Sequence, residues 1–140
     1  QSVGGARLEQ EGGGVRISIR VSGLTPNQEH GFHFHQVGRC DPPAFESAGA
    51  HFNPTGMQHG FENPQGPHAG DLPNLRANAE GVADTTFVVT SVTLTPDVQN
   101  SIVDADGTSL MVHARPDDYR TDPSGNSGDR IACGAVVGRG

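Results

Sequence analysis

Tryptophan and lysine are both absent from this 140-residue sequence, and only 33% of its residues are hydrophobic. A chain of this length can bury one core, so we expect a single domain spanning residues 1–140. The 20 glycines and 10 prolines favour short strands joined by many turns. Together with the strand pattern described below, this composition predicts an all-β fold.

Long apolar segments are missing too. No run approaches the ~18 residues that cross a membrane, and the first residues, 1–5, have neither the basic nor the apolar region of an export signal. These absences argue against a membrane partner. They predict a soluble chain from which any export signal has already been removed.

Because lysine is absent, all nine basic side chains are arginines, and the formal net charge is −7. Polyanion binding needs a basic face, so nucleic acid is excluded as a partner. A small anion would have to be attracted locally, by a few arginines or by a bound metal ion.

Cysteine is scarce, with only Cys40 and Cys133 near opposite ends of the chain. Thiolates can bind copper or zinc, but the histidines described below already supply enough ligands, which favours a disulfide. On the chain-entropy model such a loop would stabilise the fold by ~4–5 kcal/mol. A disulfide indicates an oxidising compartment, so we expect a periplasmic or extracellular protein.

Strand periodicity is clearest at Val15–Val21, where apolar and polar side chains alternate before a turn sequence begins at Ser22. Similar short runs predict further strands at Ala6–Gln10, Gly31–His35, Thr85–Thr90, Leu110–Ala114 and Ile131–Val137, with a weaker one at Ser101–Val103. We expect about seven antiparallel strands and no helix.

Two long loops are predicted between these strands, from about Gly38 to Asn74 and from Arg115 to Arg130. Loops of this length in a compact domain are either disordered or functional. The first is dense in glycine, proline, asparagine and histidine, and its candidate metal ligands favour a function.

Six of the seven histidines form a pattern that can build two metal sites sharing one ligand. His33 and His35 are two residues apart on a predicted strand, so both rings project from one face and could hold one ion. Alone, such a pair is more often incidental than a metal site.

A second group lies on the first long loop and consists of His51, His59, His68 and Asp71. Three imidazoles and one carboxylate make the closed tetrahedral shell of a structural zinc site. Any single member could be an incidental polar residue. All four together, beside the His33/His35 pair, favour metal binding.

Five stretches resemble the copper/zinc superoxide dismutase family in order and spacing. They are His30–His35 (HGFHFH), Gly49–Pro54 (GAHFNP), His68–Asn74 (HAGDLPN), Met111–His113 (MVH) and Gly125–Gly134 (GNSGDRIACG). The sequence of residues 38–43, GRCDPP, is similar to that of bacterial members. The resemblance covers nearly the whole chain and implies a Greek-key β-barrel or sandwich of immunoglobulin-like type.

The resemblance also implies a role for each site residue. Copper would be bound by His33, His35, His51 and His113, and zinc by His51, His59, His68 and Asp71, with His51 as the bridge. Asp117 would orient the rings of His33 and His59, although a solvated acid is the alternative interpretation. Arg130 would attract the anionic substrate at the mouth of the copper channel. Without the resemblance, Arg130 would be interpreted as an ordinary charged residue on the surface. His30 matches a structural position.

The implied activity is dismutation of superoxide to O₂ and H₂O₂ by one-electron cycling of copper, with Arg130 and His51 taking part in catalysis. The alternative is a superoxide dismutase-like metal-binding or copper-delivery module without turnover. A binuclear zinc hydrolase ranks last, because Asp71 is the only carboxylate in the ligand pattern.

The family's first strand has no counterpart ahead of Ala6–Gln10, so we expect that strand to be absent here. An exposed strand edge invites association, and the sequence therefore leaves a homodimer open.

Overall fold

The computed structural model describes residues 4–96, 98–103, 107–122 and 124–136. Its strands are β1 (Gly4–Glu11), β2 (Gly14–Val21), β3 (Glu29–His30), β4 (Phe32–His35), β5 (Leu75–Arg76), β6 (Ala83–Val89), β7 (Thr108–His113) and β8 (Arg130–Val136). A 3-10 helix, Glu46–Ala48, is the one helical segment among the described residues.

The strands form antiparallel sheets in the orders β1-β2-β6 and β4-β7-β8, and β3 and β5 form a separate short antiparallel pair. The chain leaves the first sheet after β2 and returns to it at β6, which pairs with β2. The structure confirms the predicted all-β Greek-key fold.

The core lies between the two larger sheets. Strand β2 alternates as predicted, so Val15, Ile17, Ile19 and Val21 are buried on one face. Phe32 and Phe34 enter the same core from β4, and the rings of Phe32 and Phe87 meet edge to face at 6.2 Å. Burying these side chains supplies most of the driving force for folding, at roughly 1.5–3 kcal/mol each.

Most predicted strands are confirmed to within two residues, and Val137 lies outside the described residues. Ser101–Val103 is wrong as a strand, because Ser101 makes only an isolated bridge to Thr93. The two-residue strands β3 and β5 were not predicted, since two residues are too few to show an alternating pattern. Of their residues, only His30 had been singled out, as the first residue of the histidine motif.

No helix among the described residues is long and apolar enough to cross a membrane. Both predicted long loops are present. The first joins β4 to β5 and contains the 3-10 helix, and the second joins β7 to β8.

Candidate metal centre

Strand β4 separates the core from the site by strict alternation. Its sequence is Phe-His-Phe-His, so the two phenylalanines face the core while His33 and His35 face the loops. All four residues are buried because both faces of β4 are covered. Strand β7 pairs with β4 and brings His113 to the same side, with Met111 opposite His33.

The first long loop closes against the free edge of β4. The backbone NH of Phe34 donates to Gly70 at 2.8 Å, and the Phe34 carbonyl accepts from Phe52 at 2.8 Å. These bonds make bridges from His35 to His51 and from His33 to Asp71. A side chain at position 70 would meet the Phe34 carbonyl at 2.7 Å, so glycine is required there.

A first group of ligand atoms comes from His33, His35, His51 and His113. One ring nitrogen from each lies within 4.8 Å of the other three, and all four residues are buried. The atoms Nδ1 of His33 and Nε2 of the other three have no hydrogen-bond partner within the described structure. Unpaired buried nitrogens are costly, so four converging ones indicate a metal site.

The opposite ring nitrogens of this group are held by protein acceptors. His33 Nε2 donates to Asp117 at 2.7 Å, His35 Nδ1 to the Gly49 carbonyl at 2.8 Å, and His113 Nδ1 to the Gly128 carbonyl at 3.2 Å. Each bond fixes the tautomer, so the unpartnered nitrogen carries a lone pair.

A second group surrounds Asp71. Its Oδ1 atom lies 3.2 Å from His51 Nδ1, 3.0 Å from His59 Nδ1 and 3.3 Å from His68 Nδ1. The His51 and His68 Nδ1 atoms are 3.2 Å apart. Ligands of a tetrahedral zinc ion at about 2.0 Å would lie about 3.3 Å from one another. These separations therefore fit the edges of one coordination tetrahedron.

His59 supports the same interpretation. Its Nδ1 atom is 3.0 Å from Asp71 but has no aligned hydrogen bond in the described structure. A short separation without an aligned hydrogen bond fits two ligands of one ion better than a hydrogen-bonded pair. His51 offers Nδ1 to this group and Nε2 to the first, so it is the shared member.

A distance criterion alone gives His33, His51, His59 and Asp71 as the second set. Chemistry favours His68 over His33 in that set. His33 Nε2 is already bonded to Asp117, and its Nδ1 belongs to the first group. His68 Nδ1 contacts both His51 and Asp71 and is the better fourth ligand.

Asp117 joins the two groups. Its carboxylate accepts from His33 Nε2 at 2.7 Å and from His59 Nε2 at 2.8 Å. Burial alone would raise the pKa of Asp117, but bonds from His33, His59 and the Tyr119 backbone hold it well below its usual range. The solvated-acid alternative is wrong, because Asp117 is buried.

Without bound metal, the histidine pKa values differ between the two groups. Burial lowers the pKa of His33 to about 3, of His35 to about 2 and of His113 to about 4, so these rings are neutral, as ligands must be. Burial also opposes the charged form of His59, but the carboxylates of Asp117 and Asp71 raise its pKa to about 9. Zinc would replace that proton.

Arg130 is fixed at the edge of the first group. Its guanidinium donates to the Phe45 carbonyl at 2.9 Å and to the Gly49 carbonyl at 2.8 Å. Gly49 also accepts from His35. The arginine is therefore built into the loop rather than being free surface charge, and it lines an open depression together with Phe45 and Gly128.

Cys40 and Cys133 form a disulfide, so the thiolate-ligand alternative is wrong. His30 lies outside both groups, and its Nδ1 donates to the His113 carbonyl at 2.8 Å. The structure thus brings together all seven predicted ligands and Asp117.

Two supporting residues escaped the sequence analysis. Asn74 clamps the Asp117 backbone, donating to its carbonyl at 3.0 Å and accepting from its NH at 2.9 Å. Asp122 accepts from the His59 backbone at 2.8 Å. Asn74 ends the His68–Asn74 motif and could have been noticed, whereas Asp122 had no distinguishing signal.

Fold and site together define an all-β metalloprotein with two histidine-rich metal groups that share one histidine. Residues 2–136 match the family model described as copper/zinc superoxide dismutase. The chain belongs to the copper/zinc superoxide dismutase family, and copper and zinc are the metals of that family. The donor sets of the two groups fit those ions.

Relatives similar in sequence are identical to this chain at close to half of the matched residues. Superoxide dismutase [Cu-Zn] 1 of Aquifex aeolicus is 47% identical over 136 residues, which cover 97% of this chain and 80% of the relative. Superoxide dismutase-like protein YojM of Bacillus subtilis is 45% identical over 130 residues, 93% of this chain and 66% of the relative.

Solved structures show the same fold. A double mutant of a SOD-like protein from Bacillus subtilis, with a tyrosine and a proline changed to histidine, matches with a TM-score of 0.96 at 45% identity, covering 99% of this chain and 91% of that one. The clock protein EA4 matches with a TM-score of 0.83 at 30% identity, over 97% and 87% of the two chains.

Proposed function

We propose that this protein is a superoxide dismutase. Copper would be held by His33, His35, His51 and His113, and zinc by His51, His59, His68 and Asp71. The observation that carries the proposal is the convergence of four buried, unpartnered histidine nitrogens, one of them on a ring whose other nitrogen belongs to the second group.

Bound copper would supply one-electron redox chemistry, through which one superoxide is oxidised to O₂ and a second, with two protons, is reduced to H₂O₂. Zinc has no redox chemistry. It would hold His51 and the other zinc ligands of the first long loop in place. An all-imidazole group matches copper, whereas three imidazoles and a carboxylate match structural zinc.

The chain's own residues would prepare and protect this reaction. His51 Nε2, with the residue only 6% exposed, is the atom at which a proton could be held and passed to the reduced product. Asp117 would keep the His33 and His59 rings in their ligand orientation. Arg130, fixed by two carbonyls, would attract and orient the superoxide anion.

The compartment is part of the proposal. A disulfide between Cys40 and Cys133 persists in oxidising surroundings, which supports a periplasmic or extracellular protein.

A metal-binding or copper-delivery module without turnover is the second candidate. It is favoured by the name of the Bacillus subtilis relative, which is called superoxide dismutase-like. Against it, this chain has all seven ligand side chains and Arg130 beside them.

The test is elemental analysis of protein reconstituted with copper and zinc, followed by a superoxide decay assay. We expect one copper and one zinc per chain and rapid decay. His51→Ala should weaken the binding of both metals, because it removes the shared ligand. A single bound metal would refute the two-site assignment, and fully loaded protein without decay would favour the module.

A further inference from the structure

Met111 is fully buried, yet it lies outside the apolar core formed by the described residues. Its neighbours along β7, Leu110 and Val112, both belong to that core. Successive side chains of a strand point to opposite faces, so Met111 projects from the same face as His113, two residues further on. The Met111 thioether is therefore buried on the metal side of the sheet.

Strand pairing places Met111 at the base of the first group. His33 is directly opposite Met111 in the register of β4 and β7, and His35 is its diagonal neighbour. Opposite β-carbons in an antiparallel pair are about 4.5–5.5 Å apart, and diagonal neighbours about 7–8 Å. The ring of His113 lies 4.8 Å from that of His33 and 5.6 Å from that of His35, between centroids. Three of the four ligands in the first group are thus neighbours of Met111 on one face.

A methionine in this position brings a soft donor atom to the metal group. Thioether sulfur selects Cu(I), and a weak methionine ligand tunes the reduction potential of copper sites. The side chain has three rotatable bonds, which let its sulfur adapt to a neighbouring group. The alternative interpretation is that Met111 only fills space between the sheet and the loops, which leucine would do as well.

We propose that the Met111 thioether is an additional soft donor to the first group, which favours Cu(I) over Cu(II) and so raises the reduction potential of the site. This inference rests on the proposed function for the identity of the metal. A ring nitrogen that holds a proton has no lone pair for a metal ion. When His51 Nε2 holds the proton, the remaining ligands of the first group are the three histidines that neighbour Met111.

X-ray absorption at the copper edge tests the contact with Met111 in place. The variant Met57→Leu removes the other methionine of the chain, which is exposed on the first long loop. Selenomethionine labelling of this variant then puts a single selenium at position 111. We expect selenium among the neighbours of copper in the reduced, copper- and zinc-loaded protein. Selenium also distinguishes this contact from the disulfide sulfurs, because Cys133 is opposite Met111 on β8.

Met111→Leu supplies the second readout, because it keeps the side-chain volume and removes the sulfur. Loss of a residue that supports a metal ion typically weakens binding 10- to 100-fold, and we expect about a tenfold loss of Cu(I) affinity with little change for Cu(II). That difference lowers the reduction potential of a one-electron couple by about 59 mV. Competition with bicinchoninate measures Cu(I) affinity, and a redox titration measures the potential. Met57→Leu is the matched control and should change neither value.

The outcomes separate this inference from the proposed function. Reduced copper without selenium as a neighbour would overturn the role of Met111, even in a protein that removes superoxide rapidly. Equal losses of Cu(I), Cu(II) and zinc affinity in Met111→Leu would show that Met111 only packs, and would overturn it too. Selenium beside copper in a protein without superoxide decay would support the role of Met111 and reject dismutation. A protein that takes up no copper would overturn both.

Discussion

Asp117 shows how one carboxylate organises two metal groups. Its two oxygens hold His33 and His59, which belong to different groups, and Asn74 holds its backbone from both sides. Neither ring can turn without breaking a charge-assisted hydrogen bond in a buried place. The orientation of the ligands is therefore set before a metal arrives.

We predict that Asp117→Asn lowers zinc affinity roughly 10- to 100-fold. An amide can accept from one ring but would turn an NH₂ group toward the other. Competition with a coloured chelator measures the affinity. The matched control is the exposed neighbour Asp118, whose side chain bonds within its own turn at Arg120 and Thr121. An equal loss in Asp118→Asn would contradict the specific role of Asp117.

At Arg130, charge and position can be separated. Arg130→Ala and Arg130→Glu both lose the bonds to Phe45 and Gly49, but only the second places a repelling charge beside the group. We expect Arg130→Glu to be the slower of the two in superoxide decay, at unchanged copper content. Arg7→Glu, on exposed β1, controls for net charge. Equal rates for the two Arg130 variants would count against steering at this position.

At the scale of elements, the second long loop is folded tightly over the site. Gly125 has a φ of +68°, and a β-carbon there would overlap the Asp117 carboxylate and approach His59 Nε2 to 2.8 Å. The glycine thus lets the loop backbone lie directly over the carboxylate that joins the groups.

We predict that Gly125→Ala destabilises the protein and also weakens zinc binding, because the new methyl group displaces Asp117. The control is Gly23→Ala, which has a similar φ of +77° but open space around it. That change should cost only the backbone term of about 1–2 kcal/mol and leave zinc affinity alone. Denaturant unfolding and chelator competition measure the two effects, and unaltered zinc affinity in Gly125→Ala would refute the prediction.

The sequence allowed the longer strands and the metal-ligand residues to be predicted, but not the residues that hold those ligands in place. Val15–Val21 carries a strand period, and the histidine motifs have fixed spacing, so both could be recognised along the chain. Asn74 and Asp122 act through contacts with residues about 40 to 60 positions away, which no local pattern reveals.

At the scale of the whole molecule, the disulfide joins the first long loop to β8 across a separation of 93 residues. We predict that Cys40→Ser with Cys133→Ser lowers the free energy of unfolding by ~4–5 kcal/mol on the chain-entropy model. The loop segment that holds Arg130 should loosen as well. Denaturant unfolding with and without reductant checks the first effect, and hydrogen exchange of residues 41–49 checks the second.

Two free thiols in active wild-type protein, seen by mass measurement under non-reducing conditions, would contradict the disulfide's role. Association stays a prediction at this scale. A homodimer would be detected by light scattering coupled to size-exclusion chromatography, and a monomeric mass at micromolar concentration would reject it.

The alternation of residues in strand β4 also has a consequence for how the strand finds its correct pairing register during folding. Its four residues alternate between core and site, so a slip of one position would send His33 and His35 into the apolar interior and two phenylalanines beneath the loops. A slipped chain could not assemble either ligand group. Metal binding would then favour the correctly paired strand, so a metal-loaded protein would have β4 in its native register.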